Sequence, residues 1–513
     1  MSNLHEIIVI SDLHIGGVHG PDGGRGFRMN TRVAELAAFV RSLAAPCGPG
    51  GAQDRELVIN GDIVDFLAER DDEDAPWDAF VADERVAERR FGAIVAREPE
   101  LFEAVGEFVA AGHKLTLLLG NHDLELSLPR VRRSLLKSIG ADHKGRVEFL
   151  YDGEAYQVGD ALIEHGNRYD GFNIVAHDKL RRLRSLLSRG LHAEANGRFQ
   201  APPGSRLVAE IMNRMKQSYA FVDLLKPETE AVTPILLALD PSIRAHLRAL
   251  LSLYREAHRD RPRGATVVDD VKISATLDEA RARTLEAEVQ AALAANLEAA
   301  EANFNAVAAE LDLTDARADD KPDTRPDADR VPIGLSLEGA AAIAKLLLAK
   351  RGAAAEADDA WRARLPALYR ALRGLRGHET FNLERDTDAA YKTAAEVLTA
   401  KDERGEQPIR VVVFGHTHLA RRIKLDSGGI YINSGTWVDL IPFPGSIFQG
   451  DKATAIEKLD ELVTDLRAGK LDRWLWFRPT YARLLVDVEE GRTVEAELHV
   501  HPSEKRGAKV DIE

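Results

Sequence analysis

The sequence predicts an α/β core interrupted by a large all-helical insertion. Three observations carry this. Short apolar strands alternate with helical spacing over the first 170 residues. From about Asp170 to Gln407 the strand pattern all but disappears and helical spacing with linkers takes over. Apolar strands then return at Arg410 and run almost to the end. Alternating strands and helices imply layers packed about a sheet, and a run of helices within them implies an insertion.

Taken in order, Glu6–Ser11 is a short apolar run that reads as a buried strand, and Thr31–Leu43 has helical spacing. Glu56–Asn60 is a second strand, Val86–Ala111 is largely helical, and Lys114–Leu119 is a third strand. Val147–Tyr151, Ala155–Val158 and Ala161–Glu164 read as strands joined by glycine-containing turns. In the insertion, Thr276-Leu277-Asp278-Glu279 has capping-box form. Leu285, Val289, Leu293, Leu297, Ala300, Phe304, Val307 and Leu311 then recur every three or four residues, one apolar helix face. Residues 312–332 are Asp-rich with three prolines and read as a mobile acidic linker. Helical spacing resumes over Ser336–Lys350, Asp358–Leu375 and Thr387–Ala400. Arg410–Phe414 is a buried strand. Hairpins are expected around Ser427-Gly428-Gly429 and around Glu489-Glu490-Gly491. The expected organisation is a discontinuous core, 1–170 and 408–513, with residues 171–407 as a helical cap.

The chain has 513 residues, a length that prior expectation divides into about three domains of roughly 150 residues. Its formal net charge of −15 argues against an extended nucleic-acid surface. The single cysteine, Cys47, excludes an intrachain disulfide framework and a cysteine-rich zinc site. Any metal must therefore be held by His, Asp, Glu or Asn. The first ten residues read as a strand rather than a signal peptide, and no apolar run is long enough to span a membrane, so the cytoplasm is the expected compartment.

The chemistry sits where strands end. The first strand is followed by Asp12-Leu13-His14 and the second by Gly61-Asp62-Ile63-Val64-Asp65. The third leads into Gly120-Asn121-His122-Asp123, a later one into His165-Gly166-Asn167, and the strand after the insertion into Gly415-His416-Thr417-His418. Ligand sites in α/β sheets lie at the carboxyl ends of strands. An Asp and a His two residues apart would point the same way if the chain stayed extended, and His416 and His418 repeat that spacing. Together Asp12, His14, Asp62, Asn121, His165, His416 and His418 form a hard, mixed oxygen and nitrogen donor set. It suits Mn, Fe or Zn, with Mg or Co as alternatives. Seven donors are too many for one ion and suit two divalent ions with a bridging carboxylate. Two ions about 3.5–4 Å apart are a known device for phosphoryl chemistry, activating a bridging water for in-line displacement. His122 could protonate the leaving oxygen, with Asp123 orienting it. Asp65 reads as a residue that orients a neighbour rather than as a ligand.

These five blocks, in this order, resemble the calcineurin-like metallophosphoesterase superfamily, whose pattern is D-x-H, G-D-x-x-D, G-N-H-D/E, H, G-H-x-H. The resemblance implies a two-sheet α/β/β/α sandwich and a phosphoric ester hydrolase, acting on monoesters or diesters through metal-activated hydroxide. It implies one ion on Asp12, His14, Asp62 and His418, and the other on Asp62, Asn121, His165 and His416. Asp62 would bridge them, and His122 would be the proton donor. Two departures stand out. Gly166-Asn167-Arg168-Tyr169 follows His165, where relatives often carry a further His or Asp close by. The interval between His165 and His416 is also far longer than usual; a smaller helical cap occupies it in the UDP-diacylglucosamine pyrophosphatases. The expected partner is a small phosphate-ester substrate chosen by the cap. One alternative is a nucleotide- or lipid-linked pyrophosphatase at a membrane surface. Another, of a different class, is a non-catalytic interaction protein that docks through the insertion.

The remaining conspicuous segments have plainer readings. Lys179–Arg184 reads as a helix with Leu180, Leu183 and Leu187 inward and its cations wet, the alternative being a basic wall for an anionic head group. Ile441–Phe448 reads as an apolar loop packed on the core, or else as substrate contact. Asp71–Asp74 reads as a solvated loop, and His499-Val500-His501 as exposed strand.

Overall fold

The structure is a computed structural model. It describes residues 4–20, 24–45, 54–72, 74–140, 145–191, 199–240, 283–292, 294–295, 302, 306, 360–373, 375, 380–385, 389–402 and 404–502. Cys47, the capping-box residues 276–279, the acidic segment 312–332 and the expected helix 336–350 lie outside them. Of the expected apolar face near 285–311, Leu285 and Val289 are described, both buried.

Two sheets form the core. The first runs β13 (Arg492–Val500), β12 (Thr480–Asp487), β1 (Leu4–Ile10), β2 (Asp54–Asn60), β3 (Lys114–Leu118) and β4 (Val147–Leu150). Its strands β1 to β4 pair in parallel, and β12 closes antiparallel on β1. The second runs β5 (Tyr156–Val158), β6 (Ala161–Ile163), β8 (Val411–Phe414), β10 (Ile430–Asn433) and β9 (Arg421–Lys424). Strands before and after the insertion therefore share both sheets, through β1 with β12 and β6 with β8.

Side-chain alternation builds the layers. Ile7 and Val9 point from β1 into a core shared with Val58, Leu118, Ile163, Val411, Val413, Ile432 and Leu484, which fills the space between the sheets. Ile8 and Ile10 point the other way, against α1 (Val33–Leu43), α2 (Glu84–Arg97), α3 (Pro99–Ala110) and α4 (Pro129–Ser138). On the far side, Val412, Phe414 and Tyr431 pack with Ala390, Tyr391 and Ala394 of the helix Ala389–Leu398. The single helical stretch expected over Val86–Ala111 is two helices. Glu98 leaves the helical region with ψ 54, and Pro99 restarts the chain at the first position of α3.

The interval 171–407 is not purely helical. Its described residues include β7 (Leu225–Lys226), which pairs in parallel with β11 (Ile441–Pro442). Around this ladder lies a second hydrophobic core. Phe221, Leu224, Ile235 and Leu236, with Trp361, Leu365 and Leu368, meet Ile441, Phe443, Ile447, Leu459, Leu462 and Leu466. Residues 441–475, expected in the main core, thus pack with the insertion. They include the helix Lys452–Arg467, capped by the Asp451 carboxylate accepting from the Thr454 N–H. The apolar loop Ile441–Phe448 is packed, with Ile441, Phe443 and Ile447 at most 2% exposed. Among the described residues no helix is long and apolar enough to cross a membrane.

Candidate metal centre

The candidate ligands lie just past the strand ends, and the chain does not stay extended there. Asp12, His14, Asp62, His416 and His418 all have positive φ, between 43° and 68°. Among the described residues they are the non-glycine residues with that backbone. The left-handed region costs a β-carbon residue energy, and such strain persists where surrounding structure imposes it. Here it brings the side chains of Asp12 and His14, and of His416 and His418, into neighbouring groups of donor atoms. This corrects the expected extended geometry.

The loops are pinned to one another. Leu13 and His14 donate their N–H groups to the Asp62 carbonyl at 2.9 and 3.0 Å, and the Asp12 carboxylate accepts the His416 N–H at 2.9 Å. Thr436 Oγ1 donates to the Asp12 carbonyl at 2.7 Å. Two motif glycines leave room for this crowding. A β-carbon at Gly120 would stand 2.1 Å from Asp62 Oδ1, and one at Gly61 2.5 Å from His165 Nδ1.

Six of the seven expected metal residues, all but Asn121, divide into neighbouring groups. Asp12, His14 and His418 present donor atoms within 4.8 Å of one another, as do Asp62, His165 and His416. Asp62 Oδ2 lies 3.2 Å from His165 Nε2 and 3.8 Å from His14 Nε2, so this carboxylate stands between the groups. His14 Nε2 and His418 Nε2 face each other at 3.0 Å. A third group, His14, Asp62 and His122, also meets the same distance condition.

Outer partners aim the donors. His165 Nδ1 lies 2.8 Å from the Asn60 carbonyl and donates to it, so Nε2 is the ring atom turned towards Asp62. His416 Nε2 lies 3.1 Å from Asp170 Oδ2, leaving its buried Nδ1 free of hydrogen bonds. Asp170 also accepts from Asn173 Nδ2 at 2.7 Å, and Asn121 Nδ2 donates to Asn173 Oδ1 at 3.3 Å. The buried Asn121 Oδ1 is thereby left without a partner. Unsatisfied buried donor atoms of this kind are costly alone and are the atoms a cation would use. The residues present fit a pair of divalent ions.

The electrostatics point the same way. Burial pushes Asp12 up, His165 opposes this, and the neighbouring Asp62 adds to it. Burial disfavours a charged His165, but Asp62 and Asp12 outweigh it and hold the ring up to about 10. Burial, reinforced by His14 and Lys226, keeps His418 well below the ordinary histidine value. A cation at this place would discharge the crowded carboxylates and take the histidine lone pairs.

Asp123 does not orient His122. Its Oδ1 accepts the Gly120 N–H at 2.8 Å and its Oδ2 the Ile63 N–H at 2.7 Å, so it staples two motif loops together. Asp65 stands against the ring instead, with Oδ1 3.0 Å from His122 Nδ1. Burial opposes the charged form of His122, but Asp65 and Asp62 prevail and raise it to about 9. The reading of Lys179–Arg184 also changes in one respect. Leu180, Leu183 and Leu187 are buried as expected, but so is Arg184, whose guanidinium lies 5.0 Å from the Tyr151 ring centre. His499 and His501 are half-buried rather than exposed, and stack on Tyr481 and Trp437, away from the centre.

Sequence reasoning missed the wall that the insertion supplies. A helical run follows Pro202: Pro203–Leu207, a wider π turn Val208–Met212, then Asn213–Lys216. Ser205 Oγ donates to the Asn121 carbonyl at 3.4 Å, and Asn213 Nδ2 to the Leu67 carbonyl at 2.7 Å. The run therefore bridges the two loops that carry Asn121 and Asp65. One turn beyond Asn213, the Lys216 side chain is 9% exposed and ion-paired with Asp223. Burial pulls its ammonium down to about 8, against the fields of Asp65 and Glu228. The missing acid after His165 is Asp170, whose place was visible only as one more polar residue near the insertion boundary.

No curated protein matches this chain. A family model, calcineurin-like phosphoesterase, matches residues 5–201, a stretch that holds Asp12, His14, Asp62, Asn121, His122 and His165. That match, with the strand-end donors brought together by the fold, supports the calcineurin-like metallophosphoesterase superfamily for this part of the chain, and with it metal-dependent phosphoester hydrolysis.

Proposed function

We propose that this chain hydrolyses small phosphate esters with two divalent ions. Asp12, His14, Asp62 and His418 would hold one, and Asp62, Asn121, His165 and His416 the other. The observation that carries this reading is the set of buried donor atoms left without hydrogen bonds around Asp62, Asn121 Oδ1 and His416 Nδ1 among them. When bound, such ions supply positive charge for the phosphate oxygens and acidify a water. The protein's own part is to place the donors and to move a proton. His122 holds Nδ1 against Asp65 and leaves Nε2 to give a proton to the departing alkoxide. The Asp65 and Asp62 carboxylates keep that ring protonated at neutral pH.

Metal-stripped protein resupplied with Mn²⁺, Fe²⁺ or Zn²⁺ should hydrolyse p-nitrophenyl phosphate or its bis-ester. His122→Ala should lower kcat by about 10²–10⁴-fold, as for loss of a general acid, with metal content by elemental analysis unchanged. If the variant loses metal in step with activity, His122 is a ligand instead. No turnover of either ester with any of the three metals would overturn the hydrolase reading.

A further inference from the structure

Asn121 Oδ1 and His416 Nδ1 are both buried without a hydrogen bond, and both are assigned to the same ion. Their loops lie on either side of the insertion in sequence, yet one short turn at its start holds both. Asp170 Oδ2 accepts from His416 Nε2 at 3.1 Å and from Asn173 Nδ2 at 2.7 Å. Asn173 Oδ1 accepts in turn from Asn121 Nδ2 at 3.3 Å. Each bond occupies one polar atom of a ligand side chain and leaves the other to face the ion.

The turn is itself well fixed. Asp170 Oδ1 accepts the Phe172 N–H at 2.9 Å, the Asp170 carbonyl accepts the Asn173 N–H at 2.9 Å, and Asn167 Nδ2 donates to the Asn173 carbonyl at 2.7 Å. The insertion's helix Pro203–Leu207 backs it. The Gly204 N–H donates to the Phe172 carbonyl at 2.9 Å. Gly204 is buried, and a β-carbon there would overlap Asn173 Oδ1 and stand 2.9 Å from its Cγ. The other ligand set is held differently. Among the described residues, Asp12, His14 and His418 share no hydrogen bond with residues 170–205; Asp12 is fixed by Thr436 and the His416 N–H.

We propose that the turn Asp170–Asn173, seated on Gly204, sets the affinity of the second ion by holding His416 and Asn121 ready for it. The proposal rests on the two-ion reading above. A ligand held in place by an outer partner loses less freedom when the ion binds, so the partner strengthens binding without touching the metal. Asp170 and Asn173 are thus positioning residues, and the insertion decides whether the centre carries one ion or two.

The test measures binding of Mn²⁺ to the full metal-stripped chain by equilibrium dialysis with elemental analysis. Electron paramagnetic resonance distinguishes a coupled pair of ions from an isolated one. Asn173→Ala cuts the link between the two ligands. Gly204→Ala pushes the Asn173 amide aside from a helical position that otherwise favours alanine. Neither variant alters a donor atom. Both should bind the first ion as the wild type does and the second about 10–100-fold more weakly. At a free Mn²⁺ concentration that just fills the wild type, the coupled-pair signal should give way to that of an isolated ion. A merely structural role would weaken both ions together, and that result overturns the proposal. Wild-type affinity for both ions in both variants overturns it too. A wild type that takes up one ion or none shows instead that the two-ion reading has failed, and the proposal falls with it.

Discussion

Asp65 and Asp123 are both buried carboxylates within a few ångströms of His122, yet they do different work. Asp123 spends its oxygens on the N–H groups of Gly120 and Ile63, while Asp65 meets the His122 ring. The ring must be protonated to act as an acid, so activity should fall as pH rises through its pKa. Asp65→Asn keeps the shape and removes a charge that raises that pKa. The alkaline limb of kcat/KM against pH should therefore move to lower pH, with kcat down about tenfold or more. A limb that does not move would show that Asp65 does not govern His122. Residue identity was legible for the donors, because Asp, His and Asn next to glycine at strand ends have few other uses. Which carboxylate meets the ring was not. That depends on the turn at Asp62, whose φ of 51° swings the following residues round, and the residue types do not encode it.

The helical run from Pro203 to Lys216 shows what an insertion can add to such a centre. Its sequence gives little warning. The π turn over Val208–Met212 slips the helical spacing, so the apolar pattern does not repeat cleanly. Its value lies in where Ser205 and Asn213 pin it and hence where Lys216 ends up. A buried ammonium in the field of Asp65 and His122 is suited to meeting a substrate phosphate. Lys216→Met should lower kcat/KM for mono- and diester alike by about tenfold, the scale of a hydrogen bond to a charged group. Inorganic phosphate should also inhibit the variant more weakly. Unchanged phosphate inhibition would mean that the ammonium serves only Asp223. Other elements were easier to read. The hairpin strands β9 and β10, and β12 and β13, follow from short apolar-containing runs on either side of glycine turns. The helix Lys452–Arg467 was not among the expected elements, although its Asp451 cap and the apolar spacing of Ala455, Leu459, Leu462, Val463 and Leu466 are helical signals.

At the scale of the molecule, the fold has separate hydrophobic cores, and one of them is illegible in sequence. The core around Phe221, Trp361 and Leu459 is assembled from three segments far apart in the chain, with no local pattern to join them. The main core carries a different kind of hidden feature. Glu125 follows the Asn121 loop, is 2% exposed, and accepts the Val81 N–H at 2.7 Å. Burial raises its carboxyl to about 8, with only partial relief from that N–H. Its ordinary value is near 4.3, so the folded state binds this proton more tightly than the unfolded state does. The sign follows from linkage: the contribution is fully present below the unfolded value and is lost as pH rises from there through about 8. Glu69, buried and raised to about 7, acts in the same sense. Glu125→Gln keeps an acceptor for Val81 and removes the ionisation. At fixed metal concentration, the wild-type melting temperature should drop between pH 5 and 8.5, by an amount reflecting on the order of a few kcal/mol. The variant should lose less over the same range. Since both proteins share the same metal centre, its own pH dependence cancels in the difference. Parallel curves would place the proton elsewhere and leave Glu125 ionised in the core.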